Sequence, residues 1–196
     1  MIELPKLILA SGSPRRSEIL GSVGWEFIKH AADIDESERI GESPEDYVVR
    51  LAREKGEAVA FRYPDEIVLG ADTTVVIDGR ILGKPADMED AVRMLGMLAG
   101  NWHDVLTGIA VVLGGKTRAA IQRTRVKFAP MSVDEITFLA KRGDPLDKAG
   151  AYAVQAQAAL FIEAIEGDYW NVVGLPVNLV YELVMKRPGV SVGPVD

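Results

Sequence analysis

Residues 8 to 16 read Ile-Leu-Ala-Ser-Gly-Ser-Pro-Arg-Arg. The apolar run Leu7 to Ala10 has the composition of a buried strand. It stops at Ser11-Gly12-Ser13-Pro14, which is turn chemistry, and a helical pattern follows from Arg15 to Leu20. Strand, polar loop and helix start, in that order, aim free backbone N–H groups at an anion. Ser13 is placed to N-cap the helix, and Pro14 suits its first position. Arg15 and Arg16 add forked donors that match phosphate oxygens. The same residues also describe an ordinary helix start with two solvated arginines, so the rest of the chain has to decide.

Working outward, Glu26 to His30 reads as a second strand and Ala31 to Glu42 as an acidic connection. Ser43-Pro44-Glu45-Asp46 opens a helix with a cap, a first-turn proline and early acids. Tyr47, Val48, Leu51, Ala52 and Ala58 recur at helical spacing toward Phe61. Ile67 to Ala71 and Thr73 to Ile77 are strand runs, and Asp78-Gly79 turns into Arg80 to Leu82. Asp87 caps a helix that presents Ala91, Met94, Leu95 and Leu98 on one face, with Gly100 just past its end. His103 to Leu113 and Thr117 to Phe128 read as long strands joined at Gly114-Gly115. Ser132 opens a helix to about Lys141. Leu160 to Ile165 and Tyr169 to Val173 read as strands around Gly167-Asp168, and a last helix runs from Pro176 to about Lys186. Helices interspersed with hairpins predict an α/β or α+β chain with a mixed sheet, not a doubly wound parallel one.

The chain has 196 residues, 48% of them hydrophobic, which predicts one domain (residues 1–196) with a sizeable core and room for two lobes. It has no cysteine, which removes disulfides, thiolate metal sites and Cys nucleophiles. No apolar run approaches the ~20 residues of a bilayer span, and no secretory signal is evident, so a soluble cytoplasmic protein is expected. A net charge of −7 argues against a nucleic-acid polymer as partner. A single nucleotide needs only a few basic groups in one cleft.

Four stretches carry possible chemistry. The first is the Ser11–Arg16 loop. In the second, Leu69-Gly70-Ala71-Asp72-Thr73-Thr74, a carboxylate interrupts an apolar strand. Such a charge must be paired, bound to metal or placed at a strand break, unless Asp72 simply satisfies local amides. Gly70 permits close approach of another backbone. In the third, Gly83-Lys84-Pro85, the lysine is either a stiffly held ammonium or a solvated one at a hairpin end. The fourth, Asp33-Ile34-Asp35-Glu36, is either a solvated loop or a source of oxygen ligands for Mg²⁺ or Mn²⁺ beside phosphate. Lys55, on the face of Leu51, either snorkels or enters a cleft. Gly114-Gly115-Lys116-Thr117 imitates the end of a P-loop, but Ala110 stands where the first glycine is required. The two histidines, His30 and His103, share no motif with a serine, which leaves a Ser-His-Asp triad without support.

Taken in order, these stretches resemble the Maf family of nucleoside triphosphate pyrophosphatases over nearly the whole chain. The resemblance rests on Ser11-Gly12-Ser13-Pro14-Arg15-Arg16, Asp35-Glu36, the helix Tyr47 to Lys55 and Gly70-Ala71-Asp72-Thr73. It continues through Gly83-Lys84-Pro85, Leu146 to Tyr152 and Asn171-Val172-Val173-Gly174-Leu175-Pro176. It implies an elongated mixed α/β fold with flanking helices and a central cleft, similar to inosine triphosphate pyrophosphatases, and a homodimer. It also implies a divalent metal and hydrolysis of a nucleoside triphosphate to the monophosphate and pyrophosphate. The family's functional positions fall on Ser11, Arg15, Arg16, Glu36, Lys55, Asp72 and Lys84. On this reading Glu36 and Asp72 hold the metal, Asp72 is the general base, and Arg15, Arg16, Lys55 and Lys84 neutralise phosphate. Arg15, Thr73 and Gln155 match the subgroup acting on dTTP and UTP, whereas a sister subgroup acting on 7-methyl-GTP carries Trp, Gln and Glu there. The carboxamide of Gln155 suits a uracil edge. Where the family reads Gln-Gly-x-Gly, this chain has Gln155-Ala156-Gln157-Ala158, and the two alanines would strain that wall if the glycines need positive φ, or narrow it if they permit close approach of substrate. Two rival functions are a nucleotidyltransferase, which requires an acceptor, and a nucleotide-binding regulator of septum formation without turnover.

Overall fold

The computed structural model describes residues 2–185. Among the described residues seven strands form one mixed sheet in the order β2-β1-β3-β5-β6-β7, with β4 paired to β3. They are β1 (Leu7–Ala10), β2 (Phe27–Lys29), β3 (Ile67–Ile77), β4 (Arg80–Leu82), β5 (Trp102–Leu113), β6 (Lys116–Phe128) and β7 (Ile162–Glu166). Six α-helices accompany them among the described residues: α1 (Pro14–Ser22), α2 (Pro44–Ala60), α3 (Met88–Leu98), α4 (Val133–Arg142), α5 (Tyr169–Val173) and α6 (Val177–Met185). The mixed α/β class expected from the sequence is the one observed. The expected end of the last helix, Lys186, lies outside the described residues.

The residues fall into two compact units, and the long strands β3, β5 and β6 each contribute to both. The first comprises Met1–Asp72, Gly108–Gln122 and Leu175–Asp196. In it β1 pairs in parallel with β2 (Leu7↔Phe27) and with β3 (Leu7↔Ile67 to Ala10↔Gly70). All four residues of β1 are buried, which explains its unbroken apolar run. Ile8, Ala10, Val59, Val68 and Val112 form a core cluster.

Helix α2 lies directly on this sheet. Ser43 caps it, its Oγ accepting from the Asp46 N–H at 3.1 Å. Val48, Leu51, Ala52, Lys55, Gly56 and Val59 make its buried face. Ala58, which the spacing placed inward, is exposed; the i+4 series from Leu51 through Lys55 instead ends on Val59. Two strand glycines make the approach possible. A Cβ on Gly70 would lie 2.1 Å from the Ala52 carbonyl oxygen, and one on Gly108 would lie 2.2 Å from that of Val48.

The second unit comprises Thr73–Thr107 and Arg123–Gly174. Here β3 pairs antiparallel with β4 across Asp78 (φ 51°) and Gly79 (φ 73°), the turn expected from Asp-Gly. Antiparallel β6 and β7 pair Arg125 with Glu166. Asp87 caps α3, and Ser132 with Glu135 forms a capping box on α4. Two expectations are corrected here. Tyr169–Val173 is a helix, because the Asp168 carboxylate accepts from the backbone N–H groups of Trp170 and Asn171 and so starts a turn. The strand expected from Leu160 begins at Ile162, because Gln157–Leu160 is a 3₁₀ turn.

Candidate active site

The first unit brings Ser11, Arg16, Glu36, Lys55 and Asp72 together. Asp72 does not break its strand: β3 runs through it without interruption, so the residue is mid-strand rather than at a strand end. The charge is accommodated by pairing instead. The Lys55 Nζ donates to Asp72 Oδ1 at 2.7 Å and also lies 3.0 Å from Glu36 Oε1. Lys55 and Asp72 are buried, at 8% and 7% exposure, whereas the Glu36 side chain is half-exposed. One ammonium therefore bridges the two carboxylates expected to hold a metal. Among the described residues no three His, Cys, Asp or Glu side chains converge on one cation position. Two carboxylates suit Mg²⁺, which usually completes its shell with phosphate oxygens and water.

The electrostatics follow from burial. Desolvation pushes the Asp72 carboxyl above the usual carboxylate range, while Lys55 and Arg16 pull it back down. Tyr47 is pushed up to about 12, first by burial and then by the negative charges of Asp72 and Glu36. Asp72 Oδ1 is engaged with Lys55, and its other oxygen takes no hydrogen bond from the described residues.

The loop after β1 is built differently from its sequence reading. Ser13 occupies the N-cap position of α1 but makes no side-chain capping bond. Ser11 Oγ instead accepts from the Ser13 N–H at 3.2 Å and from Arg16 Nη1 at 3.0 Å. The same Nη1 donates to the Ala71 carbonyl at 2.8 Å. Arg16 is thus not a solvated arginine; it ties the loop to the strand residue beside Asp72. Burial pushes its guanidinium below its ordinary value, opposed by the charge of Asp72. Arg15 is half-buried on α1.

Glu36 belongs to a loop that α2 lashes down. The Tyr47 hydroxyl donates to the Glu36 carbonyl at 3.0 Å. Arg50 grips Glu42 with two bonds, of 2.5 and 2.7 Å, and donates to the Ser37 carbonyl at 3.1 Å. Reading the sequence alone assigns neither residue to the site. Tyr47 passes for an apolar helix-face residue, and the Arg50/Glu54 spacing looks like any solvated i,i+4 pair.

In the second unit, Thr73 is half-buried, with its Oγ1 2.9 Å from that of Thr107 and 3.4 Å from the Gly174 carbonyl. Thr107 is fully buried, a contact the sequence did not flag. Lys84 and Gln155 are exposed. Ala156 has φ −119°, and Ala158 has no positive φ, so neither alanine is strained. Positive φ falls instead on Gly150 (67°) and Ala151 (64°).

With this geometry in place, comparison with known proteins is decisive. The family of Maf-like proteins matches residues 6–187. The chain belongs to the Maf family. This Maf chain is 49% identical over 181 residues to the dTTP/UTP pyrophosphatase of Symbiobacterium thermophilum, covering 92% of its own length and 93% of the relative. It is 50% identical over 186 residues to the protein of that name in Geobacter metallireducens, covering 93% and 96%. In fold it is similar to the Ham1 protein of Staphylococcus aureus, with TM-score 0.52 at 16% identity over 91% of this chain and 97% of that one. No helix among the described residues of this Maf protein is long and apolar enough to cross a membrane.

Proposed function

We propose that this Maf protein hydrolyses nucleoside triphosphates to the monophosphate and pyrophosphate, with dTTP and UTP preferred and a divalent cation required. The observation that carries the reading is the Lys55 ammonium held between Asp72 and Glu36, at 2.7 and 3.0 Å. A purely structural acid needs one partner; here a buried acid and an exposed one share a single cation beside a loop suited to anions. The relatives named dTTP/UTP pyrophosphatase support the substrate class.

In this proposal Glu36 and Asp72 hold the metal. When bound, Mg²⁺ or Mn²⁺ supplies charge neutralisation at the phosphates and lowers the pKa of water. Asp72, on a rigid strand and with its proton affinity raised by burial, takes the proton of the attacking water. Water adds to phosphorus, the anhydride bond breaks, and pyrophosphate leaves. Lys55, Arg15 and Lys84 neutralise the phosphate oxygens, and Arg16 fixes Ser11 beside them. The Ser13 amide is already committed to Ser11 Oγ, which reduces the free N–H groups the loop offers. Thr73 and Gln155, with Arg15, select the pyrimidine base. The single catalytic domain, the homodimer, the cytoplasmic location and the absence of a nucleic-acid polymer partner belong to the same proposal.

Pyrophosphate release from dTTP, UTP, CTP, GTP and 7-methyl-GTP under one metal condition tests it. Release without an acceptor, fastest from dTTP and UTP, is the expected result. Release only with a sugar phosphate would indicate a transferase, and binding without turnover would indicate a regulator. First rank for 7-methyl-GTP would overturn the base assignment alone.

A further inference from the structure

We propose that Arg50 and Tyr47 are positioning residues that hold the Glu36 loop in its ligand-binding geometry, so that affinity for the divalent cation depends on these two side chains of α2. This rests on the reading above, in which Glu36 binds metal.

Glu36 is a poor ligand on its own. It sits on the irregular connection between β2 and α2, and its side chain is half-exposed. An unrestrained loop would sample many positions and bind a cation weakly, because ordering it costs entropy at each residue. The loop is nevertheless tied down at three successive places. The Tyr47 hydroxyl holds the Glu36 carbonyl at 3.0 Å. Arg50 Nη2 holds the Ser37 carbonyl at 3.1 Å. The Arg50 fork holds the Glu42 carboxylate at 2.5 and 2.7 Å. Internal bonds complete the structure: Asp35 Oδ1 accepts from the Ser37 N–H at 2.9 Å, and Glu42 Oε2 accepts from the Arg39 N–H at 3.3 Å.

Arg50 is itself fixed. Its side chain is 12% exposed, and Nη1 is 3.2 Å from Glu54 Oε2 on the next turn of α2. Three guanidinium nitrogens are used on three different groups, a planar arrangement that an ammonium cannot reproduce. Tyr47, Arg50 and Lys55 all sit on α2. The helix that supplies the bridging ammonium thus also supplies the clamps on the loop that meets it. Partners of metal ligands commonly change metal affinity by 10- to 100-fold when removed (roughly).

The test compares wild type with Arg50→Lys, Arg50→Ala and Tyr47→Phe. Two readouts are required. Mn²⁺ affinity is measured by titration calorimetry on the whole protein with a non-hydrolysable dTTP analogue. Hydrogen exchange at amides 36–42 is measured in the metal-free protein. Arg50→Lys, which keeps the charge, is expected to weaken Mn²⁺ by roughly tenfold or more and to speed exchange in the loop. Tyr47→Phe should weaken it roughly two- to tenfold, one hydrogen bond's worth. Nucleotide-analogue affinity without metal should be unchanged in both, which separates loop positioning from general damage. If Arg50→Ala fails to fold, the other two variants carry the test. Unchanged Mn²⁺ affinity in Arg50→Lys and Tyr47→Phe, with a metal-dependent wild type, would overturn the positioning roles alone. A wild type that neither binds Mn²⁺ nor needs it would overturn the metal reading and this proposal with it.

Discussion

Replacing Gly70 by alanine tests how α2 and β3 position the site. A Cβ there would lie 2.1 Å from the Ala52 carbonyl oxygen, 2.7 Å from the Gly56 nitrogen and 3.0 Å from the Gly56 Cα. All three are backbone atoms of α2, so no side chain can rotate away. Ordinary contact begins near 3.4 Å, so the helix must retreat by roughly 1.3 Å. Overpacking of this kind typically costs 1–3 kcal/mol, and a clash with backbone belongs at about the upper figure. For a chain of this size about 3 kcal/mol lowers Tm by roughly 6–12 °C. The same retreat carries Lys55 with the helix and stretches its 2.7 Å bond to Asp72 beyond hydrogen-bond reach. Turnover should therefore fall more than stability alone explains, even at a temperature where the variant is fully folded. Thermal unfolding by circular dichroism and initial-rate pyrophosphate release are the assays. Gly96→Ala is the control: Gly96 lies inside α3 with no atom within 4 Å of its would-be Cβ, so it should gain about 0.5–1 kcal/mol. A Gly70→Ala protein with wild-type Tm and activity would refute the close helix–strand approach.

Lys84→Ala should lower activity on every nucleotide by one common factor, because phosphate carries no base identity; a changed ranking of bases would move Lys84 to the base-reading group. Arg16→Ala should cost about 1–3 kcal/mol of stability in urea unfolding, since it leaves the Ala71 carbonyl without its guanidinium donor; an unchanged midpoint would contradict that tie. His103, buried and 2.8 Å from the Tyr152 hydroxyl, is pushed down from 6.5 to about 4 by burial. Its contribution is complete above pH 6.5 and is lost as pH falls toward 4, because the unfolded chain takes the proton first. The full loss is about 3 kcal/mol, and His103→Gln should flatten that part of the urea-unfolding profile between pH 7 and 5; parallel profiles would refute it.

Features set by short-range chemistry were legible in the sequence. The caps at Ser43, Asp87 and Ser132, the Asp78-Gly79 turn and the run of β1 all depend on neighbouring residues, and the structure has each where the sequence puts it. Tyr169–Val173 reads as a strand in the sequence because Val172 and Val173 are β-branched. What decides that segment is the Asp168 cap, together with the buried Asn171 Nδ2 donating to the Val105 carbonyl at 2.9 Å, a partner 66 positions away. The candidate site shows the same division. Lys55, Asp72 and Glu36 could each be picked out as charges needing a reason. That one ammonium serves both acids depends on α2 lying on β3, which follows from Gly70 and Gly108 only once the strands' neighbours are known. The charge of Arg16 is visible in the sequence, whereas its burial and its bond to the Ala71 carbonyl are not. The division into two units, with three strands shared, leaves no compositional trace.

The most direct test of the central claim is turnover by Asp72→Asn on dTTP at saturating Mg²⁺. The substitution keeps the side chain's shape and removes the charge that pairs with Lys55 and would accept the proton. Circular dichroism and nucleotide-analogue binding should confirm a folded, binding-competent protein. Turnover is predicted to fall by roughly two to four orders of magnitude, the usual share of a general base. A folded variant retaining more than about half of wild-type turnover, far outside that range, would contradict the assignment of Asp72 and the site built around it.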